Sequence, residues 1–542
     1  HPRMMNALRK AARNGCKIVS FNNLKEVALE KFASPQDPIE LLTPAATDIS
    51  HLYLSPKLGG DMAAMRGMVK ILIEQGQAFD SAFIQAHTLG MAGYLEAVHR
   101  TSWTQIEQQS GLTRAELEPA AKLFANGQRV ISTWAMGITQ HKHSVDTIRE
   151  ISNFHLLFGQ IGRPGAGLCP VRGHSNVQGN RTMGINDKPK PAFIQAMEQT
   201  FEITLPTSPG HNVYHALKAL HKQQSKMLIC LGGNIAAAAS DSDFTFEAMR
   251  RSELNVHIAT KLNRSHLLLS QDAIILPCLG RTEIDRQASG EQAVTVEDTF
   301  SMVHASHGGT EPLGLDCMSE TAIIAHIAEA TLGSKPVDWL WLAQDYGRIR
   351  DLIALIIPGF EDFNRKIQQP GGFHLTNSAR QLEWNTTSGK ANFSSASLPD
   401  GLFPMAVEAA IEKQTTPVLT LQTLRSHDQY NTTIYGMNDR YRGIENERRV
   451  LFINAKDARK MKLDEGQAVT ITSIWDDNIS RSVDNFKLAF YDIPRGNVAA
   501  YYPETNPLVP IDSVGDGSFT PTSKSVAVVI EACHSQIPIH QA

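Results

Sequence analysis

What the sequence lacks narrows its function first. No apolar run reaches the ~20 residues that a membrane helix needs, and even LIALIIPGF, from Leu352 to Phe360, is too short. No membrane span is expected. Lysine and arginine number 51 against 55 aspartates and glutamates, a net charge of -4, which gives no general attraction to nucleic acid or anionic lipid. Any anion site must be local. The six cysteines, Cys16, Cys169, Cys230, Cys278, Cys317 and Cys533, stand singly. None has the C-x-x-C spacing of zinc or iron–sulfur ligands, so no metal ligand is assigned within the chain. The thiols read as buried groups in a reducing, cytoplasmic setting. Without a G-x-S-x-G elbow a serine hydrolase has no support, and short-period repeats and low-complexity tracts are lacking as well.

What is there reads as a globular protein of two or three domains: 542 residues, 42% hydrophobic and 20% charged, exceed one ordinary core. The chain opens on His1 rather than methionine and shows no signal peptide, so it is expected to be the later part of a longer polypeptide. Met4, Met5, Leu8, Ala11 and Ala12 fall at helical spacing, Gly15 closes that helix, and CKIVSF reads as a strand. MAAMRGMVKILIEQG, HTLGMAGYLEAVHR and LTRAELEPAAKLFANG are helical windows, the last with a Thr113 to Glu116 capping box. QRVISTW reads as a buried strand, MGITQHKHS as a polar loop, and VDTIREISNFHLLFG as a helix ending near Gly159.

The strand, loop, helix order returns in KMLICLGGN and DSDFTFEAMRRS, the helix carrying acidic N-terminal caps, and NVHIAT and DAIILP follow as strands. Such alternation predicts an α/β fold with parallel, doubly wound sheets covered on both faces and ligands at the carboxyl ends of the strands. TAIIAHIAEATLG and VDWLWLAQDYGRIRDLIALI read as helices. From Pro417 the runs PVLTLQTL, RVLFINA, QAVTITSIW, NVAAYY and KSVAVVIEA, with a helix-like insert DARKMKLDEG, predict a closed or nearly closed β-barrel. The expected division is 1–135, 136–375, a linker at 376–415, and a barrel at 416–542.

One segment fits neither helix nor strand. LCPVRGHSNVQGNRTMGI, from Leu168 to Ile185, sets Arg172, His174, Asn176, Gln178, Asn180 and Arg181 among Gly173, Gly179 and Gly184. Glycines admit close approach of backbone N–H groups to a ligand and the arginines add charge, so a ligand site is favoured over a plain surface loop. LGGN, Leu231 to Asn234, is a glycine turn at a strand end suited to a nucleotide. It lacks the G-x-G-x-x-G spacing, which disfavours an NAD-dependent dehydrogenase. Asp241 and Asp243 suit either helix capping or recognition of a base or ribose. His141 and His143, two apart with His155 further on, read as a solvated loop rather than a metal site.

Taken together, WAMGITQHKHS, NFHLLFGQIGRPGAGLCPVRGHSNVQGNRTMG, LICLGGN, ILPCLGRTEID and YYPETNPLVP resemble the molybdopterin oxidoreductases, in their formate dehydrogenase alpha subunit-like branch. The likeness runs from His1 to about Glu531. It implies Rossmann-like cofactor-binding domains followed by a six-stranded, double-psi-like barrel. It also implies bis-molybdopterin guanine dinucleotide and molybdenum as cofactors, and formate or a formate-like anion as the small-molecule substrate. A [4Fe-4S] cluster and the protein ligand to the metal would lie before HPRM, so this chain alone is not expected to turn over. A redox partner protein would take the electrons.

The resemblance places Arg172 against the metal as the residue orienting the substrate carboxylate, and Gly173, His174, Ser175, Asn176 and Gln178 beside the pterin and its phosphates. His174 departs from the Gln that the formate enzymes often carry there. Met136, Gly137, Thr139 and Gln140 fall on the pterin side, and Gly232, Gly233, Asn234 and Asp241 or Asp243 on a guanine nucleotide arm. The last cofactor segment corresponds to Thr423, Arg425, Ser426, Gln429, Tyr430, Asn506 and Lys524. Two rivals share the fold: a nitrate-type oxyanion reductase, and a non-catalytic scaffold that has lost the metal.

Overall fold

The computed structural model describes residues 2–314 and 316–533 and groups them into two compact units. One gathers the residues up to Ser132, Met136–Leu168, and what is described from Leu382 onward. The other comprises Thr133–Ala135 and Cys169–Gln381. The last nine residues of the expected 416–542 domain lie outside the described set. Among the described residues no helix is long and apolar enough to cross a membrane.

The helical part of the first unit is built around Asp61–Glu74, whose Met62, Ala63, Ala64, Met68, Val69, Ile71 and Leu72 are all buried. Helices Trp103–Ser110, Arg114–Ala125 and Ser144–Leu157 pack on it. Gly67 lets them come close, since a Cβ there would lie 2.8 Å from both Ile106 and Leu117 side chains. The capping box at Thr113 and Glu116 forms as the spacing predicts. At the centre, fully buried Arg66 forms a fork with Glu150, at 2.7 and 2.9 Å, and Tyr94 donates to the same carboxylate at 2.8 Å. Arg66 also donates to the Ala396 carbonyl at 2.8 Å, while Asn153 exchanges two hydrogen bonds with the Ser394 backbone. Ala391, Phe393 and Leu398 enter the same core. The irregular 376–415 stretch therefore holds a packed segment, because its sparse apolar residues find a socket on these helices.

Residues 419–532 close a six-stranded barrel in the order Leu419–Leu424, Asn497–Tyr501, Val450–Ile453, Arg481–Phe490, Ala468–Ser473 and Val526–Ala532. The first two of these strands pair in parallel, as do the third and fourth, and the other neighbours are antiparallel. Leu421, Leu451, Ile453, Val469, Ile471, Phe486, Val498 and Val528 fill the interior. The complementary positions Val450, Phe452, Ala499 and Tyr501 form a second cluster with Leu24.

In the second unit Met227–Leu231, Leu254–Ala259 and Asp272–Pro277 form a three-stranded parallel sheet with the middle segment central. Ile323 packs with Val256 and Ile258 of the central strand, and Met249 and Phe246 with Leu228. Coverage is incomplete, contrary to the expectation of two buried faces: Met227, Ile229, Leu231, Ile274 and Ile275 are exposed. The strand Ile131–Trp134 is likewise half-exposed rather than buried. The run from Val337 to Ile356 is two helices, Trp339–Ala343 and Tyr346–Ile356, because Asp345 caps the second through Gly347 N.

Burying a guanidinium and a carboxylate is tolerable only as a pair. Glu150→Ala should therefore cost about 3–5 kcal/mol in denaturant unfolding, by leaving Arg66 buried without its counter-charge.

Candidate functional site

In the first unit the turn after Trp134 and the barrel come together. Met136–Thr139 is a single helical turn, followed by His143 at the head of helix Ser144–Leu157. Lys524 N donates to the Gln140 carbonyl at 3.1 Å, and Asp516 N to that of Lys142 at 2.8 Å. Met136 is exposed, and at Gly137 an added Cβ would meet nothing within 4 Å. His141 is buried, not solvated as its polar neighbours suggest. Burial, the largest effect, lowers its pKa to about 4. The neutral ring donates from Nε2 to the Gly137 carbonyl at 2.9 Å, and Nδ1 is a buried acceptor with no partner among the described residues. His155 is buried against Ser132 Oγ at 2.7 Å. Among the described residues no three histidines, cysteines or carboxylates are grouped to hold a metal.

Across the barrel end, Thr423 is buried and its carbonyl accepts from Lys524 Nζ. Burial and the neighbouring charges of Arg425 and Arg442 push the Lys524 pKa down to about 8. Arg425 is exposed and donates to the Tyr430 carbonyl at 3.1 Å, while Tyr430 itself is exposed. Neither Arg425 nor Lys524 has a carboxylate partner among the described residues. Asn506 is buried on the short turn Asn506–Leu508.

Ser426 and Gln429 are buried and already engaged. Arg448 donates to Ser426 Oγ at 2.9 Å, to Gln429 Oε1 at 3.2 Å and to the Tyr502 carbonyl at 2.8 Å, and pairs with Glu504 at 2.9 Å. The Gln429 amide donates to the Asn431 and Tyr502 carbonyls. These two side chains thus fasten the loop that presents Arg425 and Tyr430. Sequence reasoning missed Arg448, whose partners are scattered along the chain.

The same loop rests on a second buried network. Arg442 bridges Glu26 at 2.6 Å and Asp439 at 2.8 Å and donates to the Arg425 carbonyl at 3.0 Å. His427 contacts Asp439 at 2.8 Å and Glu26 at 3.4 Å, and Tyr501 donates to Asp439 at 2.9 Å. Burial alone would lower the His427 pKa, but hydrogen bonds to Asp439 and Glu26 outweigh it and raise the value to about 9. Burial opposes ionisation of Glu26 and Asp439, yet both are held below the usual carboxylate range by His427 and Arg442.

A further feature is a cavity of about 210 Å³, lined among others by Lys57, Asp61, Gln108, His141, His143 and Asn497. Desolvation raises the Asp61 pKa to about 6. Sequence reading passed over Asp61 because it opens a helix and looks like an ordinary N-terminal charge.

In the second unit Arg172 is exposed. Its Nη2 donates to Gln178 Oε1 at 3.0 Å, its backbone N to Thr299 Oγ1 at 3.4 Å, and it meets no carboxylate among the described residues. Gly173, His174 and Ser175 are exposed beside it. Asn176 Oδ1 accepts from Glu297 N at 3.0 Å, and a Cβ on buried Gly179 would fall 2.1 Å from that oxygen. Any side chain there would push the Asn176 amide aside. Gly232, with φ +67°, turns the chain after the first sheet strand, and Gly233 faces open space. Asn234 accepts from Ser265 Oγ at 3.2 Å. Asp241 sits at the head of helix Ser242–Arg250 with φ +49°, buried, but its side chain makes no capping bond. Its expected capping role is not realised. Asp243 is exposed in the first turn. Of the cysteines, only Cys230 and Cys278 are buried; Cys16 is exposed, and Cys169, Cys317 and Cys533 are half-buried.

A histidine whose pKa is raised on folding stabilises fully below its unfolded value, and that stabilisation is lost as pH rises through about 9. The two lowered carboxylates lose theirs in acid instead. His427→Gln should leave the thermal midpoint less sensitive than wild type to pH between about 7 and 10, over the window set by His427.

A molybdopterin oxidoreductase model matches residues 4–284, and a molydopterin dinucleotide binding domain model matches residues 419–530. Protein YdeP of Escherichia coli (strain K12) is 42% identical over 542 residues, covering 98% of this chain and 70% of that protein. Formate dehydrogenase H of the same strain is 30% identical over 193 residues, 36% of this chain and 24% of that protein. Acetylene hydratase from Pelobacter acetylenicus superposes with a TM-score of 0.61 over 98% of this chain and 76% of its own, at 14% identity, a likeness of fold alone. With its barrel matching the dinucleotide-binding model and more than half its length the enzyme model, the chain belongs to the molybdopterin oxidoreductase family.

Proposed function

We propose that the full-length protein binds bis-molybdopterin guanine dinucleotide with molybdenum and oxidises formate, or a formate-like small anion, to carbon dioxide. Electrons would pass to a [4Fe-4S] cluster and then to a redox partner protein. The observation that carries the reading is a set of cations that meet no carboxylate among the described residues: Arg172 in one unit, Arg425 and Lys524 in the other. Such groups suit ligands that bring negative charge. The limited likeness to formate dehydrogenase H supports the substrate class.

The donor set fits the cofactor. Arg425 and Lys524 match phosphates, and Gly137 and Gly233 leave open space where a side chain would intrude. The bare His141 Nδ1 and the Asp61 carboxyl offer acceptors to the amino and ring N–H groups of a base or pterin. Met136, Gly137, Thr139, Gln140, Thr423, Tyr430 and Asn506 would complete that side. Gly232, Gly233, Asn234, Asp241 and Asp243 would hold a second nucleotide tail on the Rossmann-like sheet, and Gly173 to Gln178 would lie beside the pterin. When bound, the group supplies the metal centre that exchanges two electrons with the substrate. The chain's own task is to bind and orient: Arg172 offers a planar fork to a carboxylate and keeps its charge when partly desolvated.

Formate-dependent dye reduction by the full-length protein, measured against nitrate reduction, tests the reading, and nitrate turnover alone would select the oxyanion reductase. Arg172→Ala should lower kcat/KM for formate by about 100-fold or more, because the bound substrate carboxylate would lose its charged hydrogen-bonding partner, a loss of about 2–5 kcal/mol, with molybdenum content unchanged. Wild-type turnover in that variant would remove the formate assignment. Because Lys524 loses its proton near pH 8, cofactor retention on dilution should weaken as pH rises through about 8, and Lys524→Arg should flatten that dependence.

A further inference from the structure

The glycine turn after the first sheet strand of the second unit does not hold its own shape. Gly232 has φ +67°, an added Cβ on Gly233 would meet nothing within 4 Å, and glycine gives up more backbone freedom on ordering than any other residue. Gly232 N donates to the Ile258 carbonyl at 2.7 Å. Three more bonds come from the short turn at 263–266. Asn263 Nδ2 donates to the Gly233 carbonyl at 3.3 Å, and Ser265 Oγ donates to Asn234 Oδ1 at 3.2 Å and accepts from Ala236 N at 3.1 Å. Ser265 is fully buried. The turn itself is closed by Ser265 N donating to Asn263 Oδ1 at 2.9 Å and Asn263 N to His266 Nδ1 at 2.8 Å. A backbone N–H can only donate, so Asn263 Oδ1 faces Ser265 and its NH₂ is left for Gly233. The same rule puts the His266 proton on Nε2, which is buried with no partner among the described residues. Such an N–H is costly. An apolar side chain would fill that space without the cost, but it would not hold Asn263 N.

The turn also carries a charge. Arg264 is exposed between Asn263 and Ser265 and meets no carboxylate among the described residues. Because both of its neighbours are bonded to residues 233–236, its backbone is fixed beside the glycine turn. A carboxylate stands at the first glycine, where Glu320 Oε1 would lie 3.4 Å from a Cβ on Gly232. Like charge keeps a phosphate away from Gly232, whereas the open space at Gly233, with a guanidinium at hand, favours one there. We infer that the phosphate end of the nucleotide tail lies at Gly233 and is bound by Arg264, with Asn263 and Ser265 as positioning residues that hold the glycine turn against it.

The inference rests on the glycine turn receiving a nucleotide tail, and its test separates the two claims. Cofactor-free full-length protein is titrated with GDP and with guanosine, which differ only in the phosphates. Protection of residues 232–236 from amide exchange reports occupancy of this site apart from the barrel end. Arg264→Gln should weaken GDP about tenfold, the scale of one hydrogen bond to a charged group, and leave guanosine unchanged, while Arg264→Lys should recover part of the GDP affinity. Ser265→Ala should weaken GDP about fivefold, the scale of a lost neutral hydrogen bond, and in an Arg264→Gln background that loss should shrink, because both changes act on the same contact. Should Ser265→Ala fail to fold, the exposed Arg264 variants still decide. Wild-type GDP affinity in Arg264→Gln, or an equal loss for guanosine, overturns the inference and leaves the nucleotide arm standing. If the wild type binds neither GDP nor guanosine at residues 232–236, the nucleotide arm falls and the inference with it.

Discussion

The guanidinium of Arg442, held between Glu26 and Asp439, is the contact on which the barrel half of the site depends. It joins a residue near the start of the chain to a loop more than four hundred positions later, and it also holds the Arg425 carbonyl. Two carboxylates exceed one arginine's charge, and His427 brings the second positive charge. Buried ions are costly singly and acceptable as a closed set, so the loop has one low-energy placement. Arg448 repeats the device a few residues on, with Glu504 as its counter-charge and Ser426 and Gln429 as neutral partners.

This arrangement divides the charged residues into two classes. Arg66, Arg442 and Arg448 are compensated within the protein and shape it. Arg172, Arg425 and Lys524 meet no carboxylate among the described residues; Arg172 and Arg425 are exposed and Lys524 is half-buried. The contrast matters more than the net charge of -4, which conceals it.

Much of this was legible in the sequence. Five barrel strands show alternation or continuous apolar runs; the sixth, Arg481–Phe490, escapes because Val483, Phe486, Leu488 and Phe490, which pack on the core, are interrupted by Asp484, Asn485 and Lys487. The polar loop from Leu168 was recognisable by composition, yet Asn176 and Gln178 turned out to brace the loop itself, through partners at Glu297 and Arg172. No local pattern announces such long-range pairing. His141 escapes a reading from its neighbours for a related reason: its ring lies against distant Gly59, a Cβ on which would stand 3.7 Å from Nδ1. The sheet strands were read correctly as strands, but periodicity carries no information on how much of each face is covered.

The order in which this chain leaves the ribosome gives the two units different histories. Cys169–Gln381 is nearly continuous and can close as soon as it emerges, whereas the helices around Arg66 must wait for Ala391, Phe393, Ser394 and Ala396 before their socket is filled. At ~5–20 residues added per second that is a delay of tens of seconds or less, spent with Met68, Ile71 and Leu72 short of their final neighbours. The early helices thus lack part of their core until the chain has passed Ala396.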